Sequence, residues 1–397
     1  DHTLVAACRG IELVDVSCDE PVARGGGRPL VSGGPARGAL VVRGGGFVRS
    51  RTVACDQLLE VAGAGRGDAC GVLGALGVTG EHDILGLPPA RRYCVLLIDG
   101  LGWNLLRSHQ AQAPFLASLR GRAITVGSPT TTATSLTSFG TGLPPGRHGV
   151  LGYTTRLPGT TELLNALKWN PSVDPVAYQP HPTAFERAGR AGVAVTIVGQ
   201  RRFRTSGLTT VGLRGPGFRA ADSLGERVAA AAIGAVEEPS LVYVYDGDLD
   251  FTGHKAGCAS AAWRHQLAIV DRFAEELDES LPPGTVLVVT ADHGMVDVGP
   301  DSRVDVDQLP ALRDGVALVG GEARFRHVYA EPGAESDVLV RWRSVLGGRA
   351  DVLSREDAVA AGWFGAVEAR VLDRIGDVVA SVGGDCAVEM RSVFPIE

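Results

Sequence analysis

Short apolar runs alternate with amphipathic stretches along most of the chain. Four runs, at residues 93–98, 193–198, 241–245 and 285–290, are rich in β-branched and aromatic residues and end at polar or glycine-containing turns, a pattern typical of buried strands. Residues 182–191, 220–232 and 261–277 have the spacing of amphipathic helices. Strands that alternate with helices predict an α/β fold, with a mostly parallel central sheet and helices on both faces.

The alternation does not extend over the whole chain. Residues 1–75 are expected to form a Gly/Arg-rich N-terminal extension, loosely ordered across residues 21–50, while residues 58–76 have spacing compatible with a helix. Residues 76–397 are predicted to form the main domain. Within it, residues 154–190 and 330–372 interrupt the alternation, and we expect these inserts to form a smaller cap over the site.

Composition and charge exclude several classes of protein. Hydrophobic residues make up 45% of the 397 residues and no apolar run reaches the length of a membrane span, which predicts a soluble globular protein. The net charge of −7 offers no basic field for nucleic acid or an anionic membrane. If the substrate is anionic, its attraction must come from local groups, and the sequence does not determine the oligomeric state.

Cysteine spacing and the amino terminus bear on the cellular compartment. Seven scattered cysteines without a CxxC spacing indicate neither a disulfide framework nor a zinc ribbon. Residues 5–8 end like a lipoprotein signal, but no charged or sufficiently apolar segment precedes them. We therefore expect a cytoplasmic protein. The strong preference for arginine over lysine is typical of a GC-rich bacterial coding sequence.

Polar side chains follow three of the predicted strands. Asp99 follows the first, Asp292 and His293 follow the last, and Asp250 and His254, four residues apart after the third, can share a helical face. In parallel sheets the carboxyl ends of the strands meet at one edge, where the chemistry collects. Carboxylate and imidazole ligands suit zinc, or manganese as the harder alternative. The alternative is that these residues are ordinary caps and turns.

A hydroxyl-rich run, residues 128–135, precedes a short helical pattern. Such a run is also an ordinary helix start. The amino terminus of a helix nevertheless favours anions, and a threonine hydroxyl becomes a nucleophile when metal coordination lowers its pKa. A two-metal centre near this run would suit phosphoryl transfer.

With these residues together, the chain resembles the alkaline phosphatase superfamily, most closely its nucleotide pyrophosphatase/phosphodiesterase-like branch. The resemblance covers roughly residues 85 to 330 and is carried by residues 96–100, 129–149 and 290–295. The middle block has the motif register of that branch, with Pro129, Thr132, a Thr-Gly-Leu at residues 141–143 and a His-Gly at residues 148–149. This register selects Thr132 from the neighbouring threonines.

The resemblance implies a catalytic domain with two divalent metal ions, zinc or alternatively manganese. Thr132 would be the nucleophile of a hydrolase that cleaves phosphodiester or pyrophosphate bonds through a phosphothreonine. The implied partner is a small phosphorylated substrate, with nucleotides among the candidates. His148 is expected to be structural. The implied ligands fall into two groups, one for each metal: Asp99, Thr132, Asp292 and His293 for the first, and Asp250 and His254 for the second.

Three positions depart from the pattern of the branch. The branch has a third histidine on the second metal, near the carboxyl terminus, but here only His327 follows His293. Either His327 takes this role, or the ligand lies beyond Glu397 in a fuller chain, or the site is incomplete. We expect that the ligand lies beyond Glu397. Tyr153 stands where the branch has a phosphate-binding asparagine, so its hydroxyl would contact substrate instead. Ser135 replaces another asparagine.

The departures leave alternative functions open. A phosphomonoesterase or phosphomutase-like enzyme would use the same metal cage with different contacts to the substrate. An inactive metal-binding relative would have an incomplete cage. A sulfatase is disfavoured because the chain has no Cys-x-Pro-x-Arg motif.

Overall fold

The computed structural model describes residues 37–44 and 68–390. The lipoprotein-like residues 5–8, three of the seven cysteines and most of the predicted extension lie outside the described residues. The strands of the described ranges, in chain order, are β1 Arg37–Gly44, β2 Arg92–Ile98, β3 Arg120–Thr125, β4 Thr154–Arg156, β5 Leu163–Asn165, β6 Ala194–Gly199, β7 Phe218–Ala220, β8 Ser240–Asp246, β9 Thr285–Thr290, β10 Arg303–Asp305, β11 Val316–Glu322, β12 Phe325–Ala330, β13 Ala350–Ser354, β14 Val378–Val382 and β15 Ala387–Glu389.

The helices connect these strands and cover their faces. They are α1 Asp68–Ala75, α2 Trp103–Ser108, α3 Pro114–Ser118, α4 Thr132–Thr141, α5 Pro145–His148, α6 Pro175–Tyr178, α7 Ala184–Arg190, α8 Gly207–Leu213, α9 Leu224–Gly234, α10 Asp248–Ala256, α11 Ala261–Ser280, α12 Pro310–Arg313, α13 Glu335–Leu346, α14 Arg355–Ala360 and α15 Ala369–Leu372. None of those in the described ranges has the length and apolarity that a bilayer crossing requires.

The central sheet has seven strands in the order β3-β1-β9-β2-β8-β6-β7. The five strands from β9 to β7 are parallel, whereas β1 runs antiparallel to both of its neighbours. The predicted α/β fold with a mostly parallel sheet is confirmed. All four strands predicted from apolar runs are present within one residue of their expected ends.

Alternating side chains of β2 show that both faces of the sheet are buried. Tyr93, Val95 and Leu97 pack into a cluster with α1, α4, α7 and α8. Their neighbours Cys94, Leu96 and Ile98 pack into a second cluster with α2, α3, α9 and α11. A strand buried on both faces must be apolar at every position, which explains why β2 appears in the sequence as a continuous apolar run.

Strand β1 lies in the stretch that the sequence pattern predicted to be loosely ordered, and for these residues that prediction is wrong. Residues 37–44 pair with β3 on one side and β9 on the other. The apolar run at residues 39–42 is short and lies near glycine triplets, so periodicity gives little signal there. Partners distant in sequence complete its hydrogen bonds.

A second unit follows the central sheet. Residues 303–389 contain an antiparallel sheet of order β11-β12-β14-β13 and a parallel pair of β10 and β15, with their own apolar cluster under α13. The expected insert at residues 330–372 lies inside this unit. The other insert, residues 154–190, contains the β4–β5 hairpin, which contacts β11, and α7, which packs against β6.

A buried ion pair joins α9 to the carboxyl end of β8. The Arg227 guanidinium contacts the Asp246 carboxylate, and the two side chains are 1% and 0% exposed. Arg227 also donates to the carbonyl oxygens of Ala221 and Asp222. Because neither charge reaches water, each depends on the other for compensation.

We expect Arg227→Leu to lower the free energy of unfolding by about 3 to 5 kcal/mol, because it leaves the Asp246 carboxylate buried without its partner. Urea denaturation measures the change. The matched control is Arg272→Leu on α11, whose ion pairs with Glu275 and Glu276 are exposed and should contribute little to stability, because water screens them. Equal losses in the two variants would contradict the prediction.

Candidate active site

Three strand ends bring acidic and imidazole groups together at one edge of the central sheet. Asp99 follows β2, His293 follows β9, and Asp250 lies in α10, directly after β8. Each offers a ligand atom, and these atoms lie within 4.8 Å of one another. Asp292 adjoins the group, with its Oδ2 3.7 Å from Nε2 of His293. We refer to Asp99, Asp250, Asp292 and His293 as the cage.

Gly100 allows the cage to close around its backbone. Its φ of +75° favours glycine, and a Cβ there would lie 3.0 Å from Oδ1 of Asp250 and 3.1 Å from Sδ of Met295. The Gly100 N–H donates to Oδ1 of Asp292 at 3.2 Å. A larger residue would therefore push Asp250 away from the other carboxylates.

Backbone contacts orient the His293 ring. Its Nδ1 lies 3.0 Å from the carbonyl oxygen of Gly294, and because a carbonyl can only accept, Nδ1 carries the proton. Nε2 points to the cage, 3.0 Å from Oγ1 of Thr132 and 3.1 Å from Oδ1 of Asp99. A histidine fixed in this way presents Nε2 to a metal.

Thr132 is the first residue of α4 and faces the cage. Its Oγ1 lies 3.4 and 3.5 Å from the two carboxylate oxygens of Asp99. The N-cap residue Thr131 makes no side-chain hydrogen bond to the first turn, so no cap side chain occupies the N–H groups there. The end of α4 therefore presents its partial positive charge at the cage.

The cage residues shift one another's pKa values. Burial opposes ionisation of Asp99, but the hydrogen bond and charge of His293 outweigh it and lower the pKa of Asp99. Burial and the charge of Asp99 raise the pKa of Asp292 well above its usual value and that of Asp250 to about 6. Burial opposes the charged form of His293, but Asp292 and Asp99 raise its pKa well above the ordinary value.

Two carboxylate oxygens of the cage lack a hydrogen-bond donor among the described residues. Oδ1 of Asp250 and Oδ2 of Asp292 are buried without a hydrogen-bond partner among the described residues. Buried carboxylate oxygens are normally paired with donors or coordinate metals. Carboxylate oxygens and an imidazole nitrogen such as Nε2 of His293 are donor types that bind divalent cations, so the cage residues fit a metal site.

The predicted ligands of the second metal are less well assembled. Nε2 of His254 lies 3.4 Å from Oδ1 of Asp250, and the His254 side chain is 73% exposed. The two residues lie on one face of α10, as their spacing predicted.

The structure does not bring His327 to the cage. It lies in β12 with 0% exposure, its Nε2 2.8 Å from the carbonyl oxygen of Leu151 and its Nδ1 accepting from the Gly376 N–H at 3.2 Å. Neither nitrogen is free for a metal, so this arrangement contradicts the ligand role considered for His327. The contacts instead tie the second unit to the residues around Leu151.

His148 has a comparable structural environment. Nδ1 accepts from the Val150 N–H at 3.1 Å, so Nε2 donates to Oγ of Ser138 at 2.9 Å. Burial lowers the pKa of His148 to about 3. The ring holds the turn after α5 against α4, in agreement with the structural role expected from the sequence.

The surroundings of Tyr153 contain an acidic residue that the sequence analysis missed. The Tyr153 N–H donates to Oε2 of Glu322 at 2.8 Å, whereas Oε1 of Glu322 is buried without a partner among the described residues. Burial raises the pKa of Glu322 to about 7. Glu322 ends β11, far from Tyr153 in sequence, and no local motif marks it.

Tyr245 is a second residue that the sequence analysis missed. Its hydroxyl donates to Oδ2 of Asp99 and thereby helps to lower the pKa of that carboxylate. Burial and the charge of Asp99 raise the pKa of Tyr245 well above its ordinary value, so the phenol stays protonated. Its position near the carboxyl end of a predicted strand was a signal, but an apolar run does not distinguish a packing tyrosine from a donor.

Comparison with known proteins agrees with this geometry. The family described as type I phosphodiesterase/nucleotide pyrophosphatase matches residues 93–391, a range that includes Thr132 and the whole cage. A phosphopentomutase of Anaeromyxobacter dehalogenans is 32% identical over 182 residues, 42% of each chain. One of Sinorhizobium medicae is 27% identical over 179 residues, 41% of this chain and 42% of the relative. The matched segment thus spans less than half the length of these curated relatives.

Solved structures share the fold at low sequence identity. Murine ectonucleotide pyrophosphatase/phosphodiesterase 5, in complex with AMP, is similar with a TM-score of 0.56 and 16% identity over 75% of this chain and 80% of that chain. Phosphonoacetate hydrolase from Sinorhizobium meliloti, in complex with phosphonoformate, is similar with a TM-score of 0.54 and 20% identity over 76% and 83%.

We expect Tyr245→Phe to weaken divalent-metal binding by about 10- to 100-fold, since Asp99 loses a donor that orients it and favours its ionised form. Isothermal titration with zinc or manganese measures the affinity. The control is Tyr243→Phe on the same strand, because the Tyr243 hydroxyl is buried without a hydrogen-bond partner among the described residues. Equal effects of the two substitutions would refute the role of the Tyr245 hydroxyl.

Removal of divalent metal should lower the melting temperature, and by more at about pH 8 than at about pH 5.5, because ligands must lose their protons to bind a cation. The raised pKa values of Asp250, to about 6, and of Asp292 and His293 mean that protons compete with metal at low pH, and that this competition weakens as pH rises. Differential scanning calorimetry with metal and with chelator measures both shifts. An equal shift at the two pH values, or none, would contradict the expectation.

Proposed function

Because the chain belongs to the type I phosphodiesterase/nucleotide pyrophosphatase family, we propose that it cleaves phosphodiester or pyrophosphate bonds of a small phosphorylated metabolite, with nucleotides among the candidates. Family membership supports the predicted enzyme class, a hydrolase of phosphate esters. The observation that carries the proposal is the position of Oγ1 of Thr132, 3.0 Å from Nε2 of His293 at the amino terminus of α4. A hydroxyl, a group of metal ligands and an anion-binding helix end meet there.

We assign two divalent ions to the site, with zinc preferred and manganese as the alternative. Asp99, Thr132, Asp292 and His293 would hold the first, and Asp250 with His254 the second. A cation bound there lowers the pKa of the threonine hydroxyl and offsets the negative charge of the phosphate. The oxygens of Asp250 and Asp292 that find no hydrogen-bond partner in the described part of the chain support the assignment.

The chain's own groups then have distinct tasks. Asp99 and His293 orient Oγ1 of Thr132, which gives up its proton and attacks phosphorus as the bond to the leaving oxygen breaks, and the leaving oxygen takes up a proton. The N–H groups at the start of α4 donate to the non-bridging oxygens. Water then attacks phosphorus, the bond to Oγ1 breaks, and the threonine hydroxyl is restored. Tyr153 is proposed, as its sequence position suggested, to contact substrate beside this phosphate.

A phosphomutase or phosphomonoesterase is the second candidate, favoured by the phosphopentomutase relatives. A mutase would return the phosphoryl group to a different oxygen of a sugar phosphate, whereas the proposed enzyme passes it to water. A panel of phosphate mono- and diesters with added zinc or manganese distinguishes them by product. No turnover with any substrate would favour an inactive metal-binding relative.

We expect Thr132→Ala to lower kcat for bis(p-nitrophenyl) phosphate by at least about 10⁴-fold, as loss of a nucleophile does. Metal content, measured by atomic emission, should stay nearly unchanged because three other first-metal ligands remain. The neighbouring variant Thr131→Ala is the control, since that side chain makes no capping hydrogen bond. Retained hydrolysis in Thr132→Ala would exclude this residue as the nucleophile.

A further inference from the structure

A basic segment leaves the central sheet beside the cage. Residues 201–204 read Arg-Arg-Phe-Arg, and all three arginines are exposed. The segment follows β6, whose parallel neighbour is β8, with Val198 opposite Val244. It therefore emerges at the same carboxyl edge as Tyr245 and the cage.

Phe203 connects this segment to the site. Its ring meets the Tyr245 ring edge-on, with centroids 5.6 Å apart and an interplanar angle of 88°. The Tyr245 hydroxyl in turn donates to Asp99. One aromatic contact thus separates the segment from a residue that supports a cage carboxylate.

The arginines differ in their partners. Arg201 is anchored, because its N–H donates to Oδ1 of Asp222 at 2.8 Å and its Nε lies 3.4 Å from Oδ2. The Arg202 guanidinium lies 4.7 Å from the centre of the Phe203 ring. Neither Arg202 nor Arg204 has a carboxylate within salt-bridge distance among the described residues. The segment therefore holds two guanidinium groups whose charge is not neutralised by a carboxylate of the described residues.

Such cations matter next to an acidic cage in a chain of net charge −7. An anionic substrate is repelled by this background, so its attraction must come from local positive groups. Guanidinium groups match phosphate oxygens in charge and geometry. We propose that Arg202 and Arg204 bind a second phosphate of the substrate, remote from the scissile bond. This inference rests on the proposed function.

The test compares two substrates that differ by that phosphate. Thymidine 5′-(p-nitrophenyl phosphate) has only the scissile phosphate, and its 3′-phosphorylated derivative has a second. For the Arg202→Gln/Arg204→Gln variant we expect kcat/KM for the derivative to fall by about tenfold or more, mainly through KM, which corresponds to one lost charge-assisted contact or more. The parent substrate should change by about twofold or less.

Arg190→Gln is the matched control for loss of surface charge. Arg190 is exposed at the end of α7, before β6 begins, and so lies at the opposite edge of the sheet. Equal losses for both substrates in the double variant, or equal losses in Arg190→Gln, would overturn the proposal.

A binding measurement separates this proposal from the proposed function. If the wild-type enzyme cleaves neither these substrates nor the panel of phosphate mono- and diesters, the proposed function fails, and calorimetric titration still measures binding of the second phosphate. Thymidine 3′,5′-bisphosphate should bind the metal-loaded wild type more tightly than thymidine 5′-phosphate, and the double variant should lose that difference. Equal affinities of the two ligands for the wild type would refute a second-phosphate site.

Discussion

The organisation of this protein depends on holding three carboxylates together against their mutual repulsion. Asp99, Asp250 and Asp292 come from three different parts of the chain, and bringing them into one buried group raises the proton affinity of Asp250 and Asp292. Such an arrangement is unfavourable unless positive charge compensates it. His293 provides part of that compensation. The oxygens of the group that have no hydrogen-bond partner within residues 37–44 and 68–390 suit a divalent cation.

The parallel sheet supplies the rigidity that this repulsion requires. Strand β2 is buried on both faces by apolar clusters, and its neighbours β8 and β9 end at the same edge. The last residues of β8 also support the cage directly, since Tyr245 donates to Asp99 and Asp246 is fixed by Arg227. Packing and site geometry are therefore coupled at the strand ends, where a small displacement would change the distances between ligands.

The second unit contributes to the surroundings of the site. Glu322 at the end of β11 accepts the Tyr153 N–H, and the contacts of His327 fasten β12 to the chain near Leu151. These contacts position the segment that follows α4 and α5. The arginine-rich segment after β6 leaves the central sheet at the edge that carries the cage, so basic groups as well as acidic ones belong to the surroundings of the site.

The sequence alone determined four of the five parallel strands and the positions of Asp99, Asp292 and His293, because a buried strand and the polar residues that follow it are contiguous in the chain. Family register added Thr132 as the nucleophile, which remains a prediction. The tertiary structure alone decided that β1 joins the sheet, that both ring nitrogens of His327 hydrogen-bond to backbone groups, and that Tyr245 donates to Asp99 of the cage. Hydrophobic periodicity indicates whether a residue is buried or exposed in its own strand or helix. Which atom the side chain contacts a hundred or more residues away depends on how the layers pack.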